Sequence, residues 1–393
     1  MTEKNLLNEV DYGIGGLTTH MRSRPLGDGM HSETMILNMG PAHPATHGTI
    51  RIVAELSGEE ILDADVEVGY LHRGFEKMSE TVTYNQVMPY TDRLNYVSPL
   101  INNVGWCLTI EKLMGVTVPK RAQYIRVIMS EISRISDHLT CLGATSMELG
   151  AMTAMLYMMQ AREELWDLIE AVTGARLTIS YARVGGLKDD LTDDFIPKTK
   201  LAFEKVRSLL ADCDRLLTRN RIFMDRMCDV GILTGEEAKN FGLTGPMLRG
   251  SGVDYDIRKA FPYSSYEDFD FNVPLGTKGD NYDRFLVRFA EIEESLKICE
   301  QAIANLPEGE INSKDPRVVL PPKEEVYNSI DGMIMHFELV FKGLEPPVGD
   351  VYHAVEGGMG SWVFMWFPMV RESLIKHMLE HLVLFTWAQC EKC

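Results

Sequence analysis

The chain has 393 residues with 39 basic and 57 acidic side chains, which gives a formal net charge of −18 at pH 7. This acidic balance disfavours binding to nucleic-acid backbones and to anionic lipid surfaces, and we expect neither as the main partner. No apolar run reaches the roughly 18 to 20 residues of a membrane-spanning helix, and the first ten residues lack the basic and apolar regions of a signal peptide. Composition therefore predicts a soluble, cytoplasmic protein with two or three structural units.

Changes in composition and periodicity divide the chain into the segments of an α+β fold. Residues 1–33 are polar and aperiodic, which indicates an extended N-terminal arm. Residues 34–74 alternate like strands around a histidine-bearing loop and predict a small antiparallel sheet. Residues 75–320 predict a large helical bundle, with a functional or interfacial loop at 241–280. Residues 321–360 begin a C-terminal α/β region.

Four helices of the bundle are visible as apolar patterns. An isoleucine-rich stripe over 125–142 recurs at spacings of three and four and predicts a long helix that Gly143 ends. The next helix, over 147–168, has a methionine-rich first half that is apolar almost all round, as expected of a helix at the bundle centre. The stretch 201–217 and a heptad-like stripe over 282–303 predict two further helices.

The segment Gly40–Gly48 reads G-P-A-H-P-A-T-H-G. Its two prolines prevent a helix, so His43 and His47 are displayed on a rigid loop instead of being stacked as helical neighbours. An imidazole exchanges protons near neutral pH, which makes His47 a candidate for proton transfer. Metal binding by the two histidines is an alternative. Pro44 argues against the helix that this spacing presupposes, and no carboxylate or cysteine nearby completes a ligand set.

Six motifs in a fixed order carry a resemblance to a known family. They are Gly40–Gly48, Gly69–Lys77, Tyr90–Tyr96, Pro119–Arg126, Gly245–Gly252 and Asn272–Gly276. This series resembles the hydrogenase-like, 49 kDa-type D subunit of respiratory complex I, the proton-pumping NADH:quinone oxidoreductase. The resemblance implies a subunit that forms the quinone headgroup site and binds no cofactor itself. It implies a neighbouring B subunit that holds the terminal [4Fe-4S] cluster, further partners of the C, I and membrane H types, and a peripheral position on the cytoplasmic side of the bacterial inner membrane.

The resemblance also implies roles for individual residues. His47 and Tyr96 correspond to the family's histidine and tyrosine at the quinone headgroup, and Glu148 corresponds to a carboxylate that pairs with that histidine. Most relatives carry aspartate there, and a glutamate reaches about one methylene further. Judged as isolated residues, a tyrosine is more often a packing residue and a histidine a satisfied loop residue. Glu148 could simply be a helix-start carboxylate favoured by the macrodipole, and the whole chain could be an inert scaffold.

Two further positions are expected to face the partner's iron–sulfur cluster. Arg93 matches a family arginine whose guanidinium would favour the more negative, reduced cluster. Many relatives carry a histidine near the cluster in the pattern R-x-H-x-x-Y, but the corresponding stretch Arg176–Tyr181 has Thr178 at that position. Threonine does not titrate near neutral pH. The sequence therefore predicts a cluster potential that depends less on pH than in relatives with the histidine.

The cysteines argue against a metal site in this chain. The family's D subunit is related to the large subunit of nickel–iron hydrogenases, which holds its metal with two C-x-x-C pairs. Here Leu71–Phe75 contains no cysteine, and Cys390 and Cys393 form a single pair that cannot supply four thiolates. The seven scattered cysteines indicate reduced, mostly buried thiols. The missing pair also argues against the alternative of a membrane-bound hydrogenase or a ferredoxin-dependent complex that shares this subunit.

The resemblance is lost after about Gly360, where residues 361–393 form an unrelated tail rich in tryptophan, phenylalanine and methionine. Tryptophan and methionine each have one codon, and reading the tail one nucleotide earlier at these codons restores residues of the family pattern. We infer a one-nucleotide deletion or reading error near Gly360, with the C-terminal sheet truncated. A genuine amphipathic tail that binds a membrane surface is the alternative.

Overall fold

The computed structural model of the chain describes residues 34–43, 48–368 and 375–381. The described part falls into two compact units, of which the first ends at Leu71 and the second begins at His72. The chain combines small antiparallel sheets with a helical core, so the predicted α+β class is confirmed. Among the described residues, no helix is both long enough and apolar enough to cross a membrane.

The first unit is an antiparallel sheet of three strands that are neighbours in chain order. The strands are β1 (Met35–Met39), β2 (Arg51–Ser57) and β3 (Glu60–Glu67). The central strand β2 buries Val53 and Ala54. Arg51 reaches across the sheet to Asn38 on β1 at 2.9 Å and to Glu67 on β3 at 3.1 Å. The predicted N-terminal sheet is therefore present, and β3 is a strand that the sequence patterns did not identify.

The second unit is built around long helices. These are α3 (Pro99–Met114), α4 (Lys120–Glu148), α5 (Met152–Thr173), α6 (Phe195–Leu217) and α11 (Asn281–Ala304). The shorter helices are α1 (Phe75–Ser79), α2 (Tyr84–Thr91), α7 (Arg221–Met227), α8 (Gly235–Asn240), α9 (Gly245–Gly250), α10 (Ile257–Ala260), α12 (Lys323–Asn328) and α13 (Ile330–Phe341). A two-residue hairpin, β4 (Ala182–Arg183) with β5 (Gly186–Leu187), follows α5. Helix α4 contacts α3, α5 and α11 and forms the centre of the bundle.

Helix α4 confirms the isoleucine-rich stripe but not its predicted end. The stripe residues are all at most 1% exposed, namely Ile125, Ile128, Ile132, Ile135, Leu139 and Leu142. Gly143 does not end the helix, which continues to Glu148. A Cβ at Gly143 would lie 3.3 Å from Met159 Cε and 3.5 Å from Met158 Cβ, so this glycine permits close packing of α5. The chain turns at Gly150 instead, whose φ of +91° suits glycine.

Helix α5 is buried on one face only, which corrects the expectation that it occupies the bundle centre. Its buried side chains include Met158 and Leu165, whereas Met152 is 56% and Leu156 59% exposed. Helices α6 and α11 confirm the two other predicted helices, and α6 begins earlier than predicted. The methionine-rich start of α5 therefore presents apolar side chains at the surface of the described unit.

The segment 241–280 is packed into the second unit and is not an exposed loop. It contains α9, α10 and a 3-10 turn at Tyr266–Asp268. Its aromatic residues are largely buried, including Tyr263, Tyr266, Phe269 and Phe271. The aromatic composition that argued against disorder thus reflects packing against the bundle.

The C-terminal region forms a three-stranded antiparallel sheet in the order β6 (Val351–Glu356), β7 (Ser361–Pro368) and β8 (Ile375–His381). The register pairs Val351 with Trp366 and Trp362 with His381. The expected loss of this sheet is therefore not what the structure shows. Trp362 and Phe364 favour a strand and are each 1% exposed, with the Phe364 ring centroid 6.3 Å from that of Trp106 on α3. The inferred reading error concerns the coding DNA and stays a prediction.

Candidate active site

Tyr96 lies on the turn between α2 and α3, on residues 92–98. Its side chain is 47% exposed, whereas the next helix begins with the buried residues Ser98, Pro99 and Leu100. Ser98 precedes Pro99, which is favoured in the first turn of a helix because its missing N–H would have no helical partner. The fold therefore anchors the end of this turn and leaves the phenol of Tyr96 accessible.

The turn is tied to the central helix by a buried carboxylate. Asn95 Nδ2 donates hydrogen bonds to Ser98 Oγ at 2.7 Å and to Asp137 Oδ2 at 3.0 Å. Ser98 Oγ donates to the same Asp137 oxygen at 2.8 Å. Asp137 lies on α4 and is 1% exposed. The two residues that bracket Tyr96 and its neighbour are thus both held by one side chain from the bundle.

Arg93 lies on the same turn as Tyr96 and is exposed. Its Nη1 donates to the carbonyl oxygen of Pro89 at 2.5 Å. The preceding residue, Asp92, is fully buried and accepts hydrogen bonds from Asn103 Nδ2 at 2.6 Å and Ser180 Oγ at 2.5 Å. Burial raises the pKa of Asp92, although these hydrogen bonds and the charge of Arg93 act in the opposite direction. Asp92 therefore fixes the backbone that presents Arg93.

The bond between Ser180 and Asp92 brings together the two segments that the sequence predicted to face one cluster. Ser180 belongs to the stretch that contains Thr178, which is exposed. Arg183, also exposed, donates to the carbonyl oxygen of Ser180. The arrangement joins two exposed guanidinium groups, of Arg93 and Arg183, through Ser180. The sequence analysis did not identify Arg183, although it lies two residues after the motif that ends at Tyr181.

Glu148 is the last residue of α4 and is exposed. The interpretation of Glu148 as a helix-start carboxylate is wrong, because the residue lies at the C-terminal end of its helix. A carboxylate is disfavoured at that end by the macrodipole. Helix stabilisation therefore does not explain this residue.

The other predicted site residue, His47, lies outside the described residues, as do Cys390 and Cys393. His43 is described and exposed. In the described part of the chain, no group of three or more histidine, cysteine, aspartate or glutamate side chains is arranged to hold a metal ion. The five cysteines of that part are free, and three of them, Cys107, Cys213 and Cys299, are buried.

A buried cluster of charges, which the sequence analysis missed, crosses the interior of the second unit. Its side chains come from α4, α9, α10 with its preceding residue, α11 and β6, and all are at most 2% exposed: Glu131, Arg134, Arg249, Asp256, Arg258, Glu291 and Glu356. Arg258 links Glu131 at 3.1 Å to Asp256 at 2.7 Å. The signal in the sequence was the recurrence of charged residues on α4 in a helix that also carries a continuous apolar stripe.

Arg249 links α11 to β6 within this cluster. Its Nε lies 2.6 Å from Glu291 Oε1, and its Nη1 lies 2.8 Å from Glu356 Oε1. Burial opposes ionisation of Glu291, but Arg249 and the nearby His138 outweigh it and lower the pKa of this carboxyl. Burial raises the pKa of Glu356. The motif around Arg249 therefore closes the interior and offers no exposed anion site.

Residues 148–369, more than half of the chain, match the sequence pattern of a family described as the respiratory-chain NADH dehydrogenase, 49 Kd subunit. The match extends past Gly360, after which the family pattern was expected to be lost. It defines the class of protein, a subunit of a respiratory-chain NADH dehydrogenase.

Individual relatives make this more specific. The NADH-quinone oxidoreductase D subunit of Sorangium cellulosum that carries the number 1 is 54% identical over 334 residues, which are 85% of this chain and 83% of that protein. The D subunit of the same oxidoreductase from Myxococcus xanthus is 50% identical over 332 residues, covering 84% and 80% of the two chains. A protein named as the C/D subunit in Bdellovibrio bacteriovorus is 45% identical over 359 residues, covering 91% of this chain and 64% of that one. The chain belongs to the family of 49 kDa, or D-type, subunits of complex I, whose activity is NADH:quinone oxidoreduction by a multi-subunit enzyme.

Proposed function

We propose that this chain forms the quinone headgroup site of complex I together with the B subunit, and that quinone reduction there is coupled to proton translocation. The observation that carries this proposal is the accessible phenol of Tyr96 on a turn that also presents Arg93. The turn is short and is fixed from both sides, by Asp92 and by Asp137. A rigid turn with an exposed hydrogen-bond donor is suited to hold a small polar headgroup.

Reduction of a quinone to a quinol requires two electrons and two protons, one at each carbonyl oxygen. A donor group near a carbonyl oxygen is therefore needed, and the hydroxyl of Tyr96 can donate a hydrogen bond to one of them. We assign the other headgroup contact to His47 from the family resemblance. Glu148 would pair with that histidine and keep it protonated, since a nearby carboxylate favours the imidazolium form.

The electrons come from the terminal [4Fe-4S] cluster, which the resemblance places in the partner B subunit. Reduction makes such a cluster more negative, so nearby positive charge stabilises the reduced form. Arg93 is exposed beside the turn of Tyr96, and Arg183 is joined to it through Ser180. These two guanidinium groups would favour electron arrival next to the headgroup site.

The remaining parts of the proposal concern partners, location and ancestry. The exposed apolar side chains of Met152 and Leu156 follow Glu148 and suit the start of an apolar channel for a quinone tail, most of it lined by the membrane H subunit. The name of the Bdellovibrio relative supports contact with a C subunit. We place the chain peripherally, with the B, C, I and H subunits, on the cytoplasmic side of the bacterial inner membrane, and we relate its helical core to the nickel–iron hydrogenase large subunit.

The test is Tyr96→Phe in the assembled enzyme, because this change removes the hydroxyl and keeps the ring. We expect quinone reduction to fall at least about tenfold, since a positioned proton donor typically contributes more than that. Assembly of the complex and NADH oxidation with a water-soluble acceptor that bypasses the quinone site should stay at wild-type values. Both should be measured on the same membranes.

Tyr327→Phe is the matched control, because Tyr327 is 83% exposed on α12 and the same hydroxyl is lost there. It should leave quinone reduction unchanged. Wild-type quinone reduction in Tyr96→Phe would contradict the proposed site. If His47→Ala were equally active, the chain would be a scaffold for a site formed by other subunits.

A further inference from the structure

We propose that Asp137 is a positioning residue for quinone reduction, because its buried carboxylate sets the turn that presents Tyr96. This inference rests on the proposed function of Tyr96 and extends it to a residue that does not touch the quinone. It is drawn from the contacts of the turn with α4.

The first step is that the turn has a long-range polar anchor. Residues 92–98 join α2 to α3, and local backbone bonds such as Ser98 N to Asn95 O at 3.2 Å define only its own shape. The bonds from Asn95 and Ser98 to Asp137 span 42 and 39 sequence positions and fix the turn relative to the bundle. Hydrogen bonds to an ionised carboxylate are stronger than bonds between neutral groups. The position of the Tyr96 backbone therefore depends on this carboxylate.

The second step is that Asp137 itself has no room to move. A Cβ placed on Gly358 would lie 2.4 Å from Asp137 Oδ2 and 2.9 Å from its Cγ, so the backbone of the turn before β7 closes directly over the carboxylate. Arg134, three residues earlier on α4, donates to the carbonyl oxygens of Glu356 and Gly357 at 2.7 Å each. The same face of α4 thus holds both the glycine turn and the turn of Tyr96.

The third step excludes a direct role in the chemistry. Asp137 is 1% exposed and is covered by Asn95, Ser98 and Gly358, so a quinone at the exposed side of Tyr96 cannot reach it. Its influence must pass through the turn. Loss of the anchor should weaken headgroup contact in the bound and reacting states alike, which appears mainly as a higher KM for quinone.

The main test is Asp137→Asn in the assembled enzyme. Asp137 Oδ1 has no hydrogen-bond partner among the described residues, so an amide nitrogen can take its place while the other oxygen still accepts from Asn95 and Ser98. The change removes charge and keeps shape. We expect the KM for a short-chain quinone to rise about tenfold, the loss typical of one hydrogen bond to a charged group. The kcat should change less, and assembly and acceptor activity upstream of the quinone should stay at wild-type values.

Asp280→Asn is the matched control. Asp280 is also 1% exposed and also accepts two hydrogen bonds, from Asp229 N at 2.9 Å and Asp283 N at 2.8 Å, but it caps α11. A general structural effect of losing a buried carboxylate would raise the KM in both variants. The inference predicts a change in Asp137→Asn alone, and equal KM values in the two variants would overturn it.

Ser98→Ala keeps the inference testable if Asp137→Asn fails to assemble, because it removes a single donor to the carboxylate. It should also raise the KM for quinone, and in the double variant the two effects should not multiply, since both act through one bond. A wild-type KM in assembled Ser98→Ala, or fully multiplicative effects, would overturn the inference.

Tyr96→Phe separates the two levels of the argument. If Tyr96→Phe reduces quinone at the wild-type rate, the proposed function fails. If Tyr96→Phe is impaired while Asp137→Asn and Ser98→Ala keep the wild-type KM, only the positioning role of Asp137 fails.

Discussion

At the scale of single residues, the candidate site consists of exposed side chains whose positions are set by buried ones. Arg93 and Tyr96 lie at the surface, whereas Asp92 and Asp137 are buried and hold the turn that carries them. Each buried carboxylate accepts hydrogen bonds from a different part of the chain. The accessible groups are therefore presented from a rigid backbone, which is what precise contact with a small headgroup requires.

Thr178 gives a prediction at this scale. It is exposed on the segment that Ser180 ties to the turn of Arg93, and its hydroxyl does not titrate near neutral pH. We expect the midpoint potential of the partner's terminal cluster to change with pH by much less than about 59 mV per unit near pH 7, the slope of a one-electron step coupled to one proton. Redox titration of the assembled enzyme at several pH values measures this.

The matched variants for this prediction are Thr178→His and Thr192→His, which place the same imidazole on two different exposed segments. The first should steepen the pH dependence of the potential, and the second should leave it as in the wild type. A slope near 59 mV per pH unit in the wild-type enzyme would refute the role given to Thr178.

Some of these residues could be predicted from sequence and others could not. Tyr96 and Arg93 belong to a continuous motif, so a resemblance to known sequences was enough to select them. Asp137 belongs to no such motif, and its importance depends on partners 39 and 42 positions away. The local explanation of Glu148 failed because it depended on a helix boundary that a glycine had been expected to set.

At the scale of elements, α4 connects the apolar core to the buried charges. Its isoleucine-rich stripe could be read from periodicity alone, because apolar spacing is a local property of the helix. The polar face of the same helix could not, since Glu131 and Arg134 are satisfied by groups from α10 and β6, far away in sequence. The function of Gly143 as a contact point for α5 was likewise invisible, because glycine is read first as a helix terminator.

Arg249 gives a prediction at the scale of elements. It joins α9 to Glu291 on α11 and Glu356 on β6, all fully buried. Arg249→Met would leave two carboxylates in the interior without their cation, which typically costs about 3 to 5 kcal/mol of unfolding free energy. Denaturant unfolding of the isolated chain measures this.

Arg215→Met is the control for this prediction, because Arg215 is 75% exposed and pairs with Asp212 on the surface of α6. Its loss should cost less than about 1 kcal/mol. Equal losses in the two variants would show that the buried cluster does not stabilise the fold more than a surface pair does.

At the scale of the whole molecule, the described chain has features of a protein that works within an assembly. Helix α13 exposes a row of apolar side chains, including Phe337 at 63% and Phe341 at 76%. Exposed apolar surface of this kind is typical of regions that mediate protein contacts. The helical core and the small N-terminal sheet followed from sequence patterns. The C-terminal sheet did not, because the packing of Trp362 and Phe364 against α3 depends on contacts between distant segments.

The central claim is that quinone binds at the turn of Tyr96, and cross-linking tests it most directly. The assembled enzyme would be irradiated with a photoreactive quinone, with excess unlabelled quinone as competitor, and the labelled peptides would be identified by mass spectrometry. The account predicts label on residues 92–98 that the competitor removes and that decreases in Tyr96→Phe. Label confined to other subunits, or label on this turn that the competitor does not remove, would contradict it.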